Sequence, residues 1–495
     1  LACCLLFAVP AMAQPSADTA AAQQSRDAPA VMPDVIDRFE TDDAALQRFY
    51  DVPMDSAGRE RLDTFYTRQL DALNAMDYDT LGVADRIDWH LMQTAVRARR
   101  HALSFEAQRE QQLAEVLPFA QDIVALENAR RQRQPLDPAS AAATVGAISE
   151  SAQALLDRVA KVPADEAENA EETDENTLAL TPVQARRAAN LVDALRRTLK
   201  HWQSYYVAYD PQAAWWLAQP WADADAALAE LSKKLKEQIA GIKGEDDDPL
   251  IGDPIGAAEL EAQLAFEWIA YSPQELIERA EAEMRWCEQQ FIQAANEMGL
   301  GDDWHAALEQ VKQAVPTPGE QDDIVAAQAV EAVAFLDDNN LVTIPALCRE
   351  TWRVEMLSHQ SQRVLPFAAY GGQRVLVASP THDMSHADKH MSLRGNNRHF
   401  TRNVTPHELI PGHHLQGFVA AREATHRRGF RTPFLVEGWA LHWEFAFYEP
   451  AEPTRDGLAI TMPLSYPDGW QIVLTLSQKT PKGFLLSDKG KTLSC

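Results

Sequence analysis

Residues 407–414 read His-Glu-Leu-Ile-Pro-Gly-His-His, and residues 437–440 read Glu-Gly-Trp-Ala. Three imidazoles and two carboxylates thus fall within a short, largely apolar stretch. Those are the side chains of a hydrolytic zinc site: neutral nitrogens and a carboxylate oxygen for the metal, and a second carboxylate for the proton. The plain HExxH pattern, with histidines at i and i+4 on one helical face, is absent because Pro411 stands at i+4. On an undistorted helix His413 would lie about 120° around and about 9 Å along from His407. His414 would return to the same face, but about 10 Å away. Two nitrogens that each sit about 2.0–2.1 Å from one ion cannot be that far apart, so the helix must be deformed if the site is real. Pro411 and Gly412 supply the deformation. Pro411 offers no N–H to the carbonyl of His407 and clashes with it, and Gly412 can take backbone angles closed to other residues. With the extra residues looped out, His413 moves to the i+4 place. His407 and His413 are therefore the preferred ligands, and His414 is the alternative.

Glu437 follows Phe434-Leu435-Val436 and precedes Leu441, Trp443 and Phe445. That context predicts a carboxylate buried inside an apolar helix. Buried carboxylates are rare unless paired or bound to a metal.

HELIPGHHLQ and EGWALHWE together resemble the bacterial proteins catalogued as domain of unknown function 885, a family grouped with zinc metallopeptidases of the gluzincin type. The clear likeness spans roughly residues 340–450. It implies a mainly α fold, a multi-helix bundle around a metallopeptidase-like cleft. It also implies one Zn²⁺ and peptidase or related amide-hydrolase chemistry on a peptide or small amide. Carried over by motif, His407 and His413 match the histidine ligands, Glu408 the general base and Glu437 the third ligand. The family normally continues beyond this point with another helical segment. Here Pro450-Ala-Glu-Pro453 and Met462-Pro-Leu-Ser-Tyr-Pro-Asp-Gly469 carry turn signals instead, so residues 451–495 form an atypical tail. In gluzincins a Tyr or His beyond the third ligand often stabilises the oxyanion. His442, Tyr448 and Tyr466 are the nearby residues of those types. Two rival readings share the motifs: a zinc hydrolase of non-peptide amides or esters, and a binding protein with an inert metal site, which the atypical tail motivates.

The rest of the chain bounds these readings. A net charge of −28 argues against nucleic acid, whose phosphates require a basic face. Leu1–Val9 is an apolar run, and Ala11-Met12-Ala13 is an A-x-A cleavage pattern. These predict a signal-peptide remnant over 1–13 and a periplasmic or secreted protein, with Cys3 as an alternative lipid-acceptor. No other run approaches the roughly 20 apolar residues of a membrane span. The three later cysteines, Cys287, Cys348 and Cys495, make no disulfide framework.

Along the chain, 14–33 reads as a disordered leader, 34–340 as a helical region and 341–450 as the zinc-site region. Ile87, Leu91, Ala95 and Ala102 suggest the apolar face of one helix, 141–162 a second, and 183–206 a third opened by Thr181-Pro182. Acids concentrate in 164–177. The Asp-rich loop 244–254 lacks EF-hand spacing for calcium. Trp202, Trp215, Trp216 and Trp221, with Tyr205, Tyr206 and Tyr209, read as helix-packing core, with a peptide- or sugar-holding surface as the alternative. Helices are also expected over 259–270, 273–298 and 325–339. Residues 364–378, around Gly371-Gly372, predict a short hairpin or edge strand, the strand at 374–378, suited to pairing with an extended substrate. His382, His386 and His390, at i, i+4 spacing with Asp383 and Asp388, offer either a second metal site or a polar surface. Arg394, in a polar loop, is the candidate for a substrate carboxylate.

Overall fold

A computed structural model of the chain describes residues 30–161, 177–244, 248–362 and 364–446, and the backbone of 452–454, 457–465, 471–480 and 483–487. The signal-peptide remnant, nearly all of the leader, most of the acidic stretch 164–177 and Tyr448 lie outside the described residues. Through residue 446 the described residues are mainly helical, as the sequence predicts, with 70% helix and 4% strand. It divides into two compact units, Leu1–Pro273 and Gln274–Cys495. Helical residues 274–340 therefore share a unit with the two motifs. Among the described residues no helix is long and apolar enough to cross a membrane.

The first unit consists of α1 (Met32–Phe49), α2 (Ser56–Asn74), α3 (Val83–Gln111), α4 (Ala120–Arg131), α5 (Pro138–Arg158), α6 (Pro182–Val207), α7 (Pro211–Lys233) and α8 (Ala257–Phe266). Short strands β1 (Val159–Lys161) and β2 (Leu178–Leu180) pair in parallel between α5 and α6. The predicted start of α6 is a capping box. Thr181 Oγ1 accepts from the Gln184 N–H at 3.3 Å, and the Gln184 side chain accepts from the Thr181 N–H at 3.0 Å. Small residues let α5, α6 and α7 approach closely: Ala152, Ala185, Ala188, Ala189, Ala213, Ala224 and Ala227 are buried among Val192, Leu195, Leu199 and Leu228.

Two expectations for this unit need correction. On α3 the buried stripe is Asp85, Asp88, Met92 and Val96, while Ile87 is exposed. The register is set by Asp85, whose carboxylate accepts from the N–H groups of Val31 and Met32. It thereby caps α1, whose own first residues offer no side-chain cap. The aromatic cluster also divides. Trp202 is core, but Tyr209 and Trp215 are 84% and 81% exposed, at the end of α6 and the start of α7. In the Asp-rich loop, Asp253 is held by Arg109 at 2.5 Å and by Arg187 Nε at 2.7 Å, so it serves as an ion-pair anchor.

The second unit holds α9 (Pro273–Glu297), α10 (Trp304–Val311), α11 (Gln321–Asp338), α12 (Ala346–Glu350), α13 (His359–Gln362), α14 (His386–Gly395), α15 (Arg398–Glu408), α16 (His413–Ala420) and α17 (Pro433–Ala446). A three-stranded sheet has the order β3 (Arg353–Met356), β5 (Arg374–Val377), β4 (Ala368–Tyr370). The β4–β5 hairpin turns at Gly371-Gly372, as predicted, with Gly372 at φ +65°. The strand expected at the edge, β5, is the middle one, because β3 pairs with it in parallel. Among the described residues the sheet edge beside the motifs is β4. Four antiparallel strands occupy the tail: β6 (Glu452–Thr454), β7 (Gly457–Ser465), β8 (Gln471–Thr480) and β9 (Gly483–Ser487).

The break between α15 and α16 is fixed from two sides. Leu409 is buried with Val325 and Ala329 of α11 and Val375 and Val377 of β5. Ile410 is buried in a separate cluster with Leu336, Ile344, Cys348, Leu415, Phe418 and Trp443. Burying each side chain contributes about 1.5–3 kcal/mol, so two adjacent residues pull the chain in different directions and hold it out of helical continuity.

Candidate metal centre

Asn397 starts α15 by accepting from the N–H groups of His399 and Phe400 at 3.0 and 3.1 Å. The helix then runs to Glu408, with Pro406 inside its last turn. Beyond it, the Gly412 N–H bonds the carbonyl of Pro406 at 2.9 Å, six residues back rather than four. The turn is thereby widened by two residues, so residue 413 arrives where residue 411 would stand in a helix. Gly412 is required for this closure. A Cβ at that position would lie 1.6 Å from the His407 carbonyl oxygen and 2.6 Å from that of Pro406. The His414 and Leu415 N–H groups then bond the carbonyl of Leu409, and α16 begins.

The second motif is tied to the first by its tryptophan. Trp439 Nε1–H donates to the Pro411 carbonyl at 2.8 Å. This hydrogen bond docks α17 on the break and brings Glu437, two residues earlier, to the histidines. Thr432 opens α17 by accepting from the N–H of Leu435 at 3.2 Å.

The result is a compact cluster. The rings of His407 and His413 stand 4.7 Å apart at 85°. Glu437 Oε2 lies 3.5 Å from His407 Nε2 and 3.6 Å from His413 Nε2. Glu408 Oε2 is 4.0 Å from His413 Nε2. Ligand atoms of His407, Glu408 and His413 all lie within 4.8 Å of one another, and this is the group of that kind among the described residues. Glu437 is 63% exposed, contrary to the burial expected from its apolar neighbours. Phe434, Leu435 and Leu441 on the same helix are exposed too. The helix turns Trp439, Ala440 and Trp443 inward and leaves Glu437 at the solvent side of the cluster.

Two further residues, which the sequence reading passed over, position His407. Glu444 Oε1 lies 2.5 Å from His407 Nδ1, and the other Glu444 oxygen accepts from Asn403 at 2.7 Å. A carboxylate can only accept, so Nδ1 carries a proton, and in the neutral ring Nε2 is the nitrogen that keeps a lone pair. The signal was present in the spacing. Glu437 and Glu444 are seven residues apart, two turns on one face of α17, and Asn403 is one turn before His407. The third is Tyr370 on β4, whose backbone N–H favours the charged form of Glu408.

Burial and charge act on three groups of the centre. Burial holds Glu408 above the usual carboxylate range, and the charges of Glu437 and Glu444 push the same way against the charge of His407 and the Tyr370 N–H. Burial also disfavours a charged His407. The Glu444 hydrogen bond and the charges of Glu408 and Glu437 outweigh that and raise it above an ordinary histidine. A negative potential that favours an imidazolium here favours a divalent cation equally. Burial, with the charge of His407, keeps His413 in its neutral form.

The remaining sequence candidates lie elsewhere. His414 is fully engaged: Nε2–H donates to the Cys348 carbonyl at 3.0 Å, and Nδ1 accepts from the Tyr370 hydroxyl at 3.3 Å. Its ring points to the core side of α16. His442 packs edge-on against Trp443 at 5.5 Å, with a buried Nδ1 that has no partner among the described residues. Arg394 is ion-paired with Glu309. The trio 382/386/390 does not assemble. Helix α14 begins only at His386, and Asp383 pairs with His359 at 2.6 Å instead.

The family model described as a bacterial protein of unknown function (DUF885) matches residues 46–449. No curated protein matches the chain. Among solved structures, one described as "a putative lipoprotein of unknown function from Shewanella oneidensis" superposes with a TM-score of 0.55 at 17% identity, covering 85% of this chain and 78% of that one. At that identity the likeness shows a shared fold.

Proposed function

The chain belongs to the DUF885 family, and we propose that it is a zinc-dependent hydrolase, a metallopeptidase in its simplest form, with His407, His413 and Glu437 as ligands and Glu408 as general base. One observation carries the reading: a single carboxylate oxygen stands 3.5 and 3.6 Å from two imidazole nitrogens. Two ligand atoms about 2.0–2.1 Å from one tetrahedral ion are separated by roughly 3.3 Å. The donor set of two imidazoles and one carboxylate suits zinc and leaves a fourth position open. Glu444 holds His407 in the tautomer that a ligand needs, as carboxylate partners of metal-binding histidines do.

Zinc bound there supplies a Lewis acid that polarises a scissile carbonyl and lowers the pKa of water. The chain's residues do the rest. Glu408, whose charged form the Tyr370 N–H favours, accepts a proton from the attacking water and returns it to the leaving amine. Its burial makes it a stronger base than a solvated carboxylate. The free edge of β4 lies beside Glu408, where an extended peptide would add as a further strand. The apolar run and A-x-A pattern at the N-terminus, with a structural neighbour described as a lipoprotein, support a periplasmic or secreted location, free or lipid-anchored.

The test combines metal content with turnover. The purified chain is expected to hold one zinc and to cleave members of a peptide library in a chelator-sensitive way, with small amides and esters as the comparison. Glu408→Gln should keep the zinc and lose about 10²–10⁴-fold in rate. A chain that stays metal-free after dialysis against zinc, or a Glu408→Gln variant with undiminished cleavage, defeats the proposal.

A further inference from the structure

Arg394, the guanidinium expected to meet a substrate, is neutralised by Glu309. Arg349, Arg374 and Arg402 in the same unit are likewise paired, with Asp337, Glu355 and Glu331. Arg431 is different. It precedes α17 and, among the described residues, forms no ion pair; its Nη2 donates to Gln416 Oε1 at 3.3 Å. Gln416 lies three residues beyond His413 on α16, and its amide donates to the Leu435 carbonyl at 3.2 Å, two residues before Glu437. The Arg431–Gln416–Leu435 chain therefore links the segments that carry two of the three proposed ligands, with an exposed cation at its end.

The local charge is equally out of keeping with the chain. Against a net −28, residues 422–431 hold Arg422, Arg427, Arg428 and Arg431 and one acid, Glu423. Arg422 donates to the Phe418 carbonyl and lies 3.4 Å from that ring's centroid, and Arg428 donates to the Thr425 carbonyl. These bonds fix the guanidinium groups without cancelling their charge.

We propose that Arg431 selects substrates bearing a carboxylate close to the bond that is cleaved, so that the chain acts on acidic peptides or on bonds near a free C-terminus. The inference rests on the zinc-hydrolase reading and names its substrate class. A guanidinium presents a planar fork of N–H donors that matches a carboxylate. Among the described residues no carboxylate pairs with Arg431, so the fork is open to a carboxylate of the ligand.

Equilibrium binding to the full, zinc-loaded Glu408→Gln chain tests this without turnover. The probes are a fluorescent dipeptide with a free C-terminal carboxylate, its carboxamide, and a carboxamide ending in Asp. The free acid should bind about tenfold to hundredfold tighter than its amide. Adding Arg431→Gln should erase the preference, and Arg431→Lys should keep part of it. The Asp carboxamide matching the free acid assigns the recognition to any nearby carboxylate. Matching the plain amide assigns it to the C-terminus. Equal binding of acid and amide, a preference that survives Arg431→Gln, or no binding of any probe overturns the proposal. A chain that cleaves acid and amide substrates equally would keep the hydrolase reading and lose this one.

Discussion

Gly412→Ala is the sharpest perturbation of the centre. The added Cβ would stand 1.6 Å from the His407 carbonyl oxygen, 2.4 Å from its carbon and 2.6 Å from the Pro406 oxygen. All three are backbone atoms, so no rotamer change relieves the clash. Opening the closest contact from 1.6 Å to at least 3.0 Å requires a displacement of about 1.4 Å at the segment carrying His407. Displacements near 1 Å cost a catalytic constellation about 100-fold. The expected result is a loss of at least about 100-fold in kcat/KM, a clear loss of zinc affinity by competition with a chromophoric chelator, and a destabilisation of about 1–3 kcal/mol or more. Gly438→Ala is the control, in the other motif and next to Glu437. Nothing lies within 4 Å of its Cβ, so it should stabilise α17 by roughly 0.8–1.0 kcal/mol and leave zinc bound. If Gly412→Ala binds zinc like the parent chain, the widened turn does not build the site and the reasoning from it is wrong.

Two further outcomes are expected. Glu444→Gln should weaken zinc binding by about 10–100-fold, because a neutral amide with one accepting oxygen replaces the carboxylate that accepts from both His407 and Asn403; unchanged affinity would remove Glu444 from the centre. In the first unit, burial pushes the Glu127 carboxyl up, but hydrogen bonds and charges from Arg130 and Arg131 outweigh it and hold it below the usual range. Its contribution is therefore present above the ordinary carboxylate value of about 4.5 and is lost as pH falls through the lowered one. Glu127→Gln should cost roughly 1.5–3 kcal/mol at neutral pH. In denaturant melts the gap to the parent should narrow in acid, and a gap that widens there would contradict the assignment.

Much of this protein can be read from local sequence. The capping box at Thr181-Gln184, the hairpin at Gly371-Gly372 and the helical periodicity depend on interactions within a few residues, and composition reports them. Pro411 and Gly412 announce a broken helix because one lacks a donor and the other lacks a Cβ. The spacing of His407, Glu408 and His413 is close enough in the chain for the consequence to be worked out by hand.

What sequence left open was decided by partners distant along the chain. Whether His413 or His414 faces Glu437 depends on Cys348 and Tyr370, 66 and 44 residues away, which engage both nitrogens of His414. That Glu437 is exposed, that β5 is central, and that α3 turns Asp85 inward follow from what packs alongside each element, and a one-dimensional pattern does not carry that. Arg394 and Arg431 look alike as letters. Only the fold places Glu309 beside the first and leaves the second bonded to Gln416, with no ion pair among the described residues.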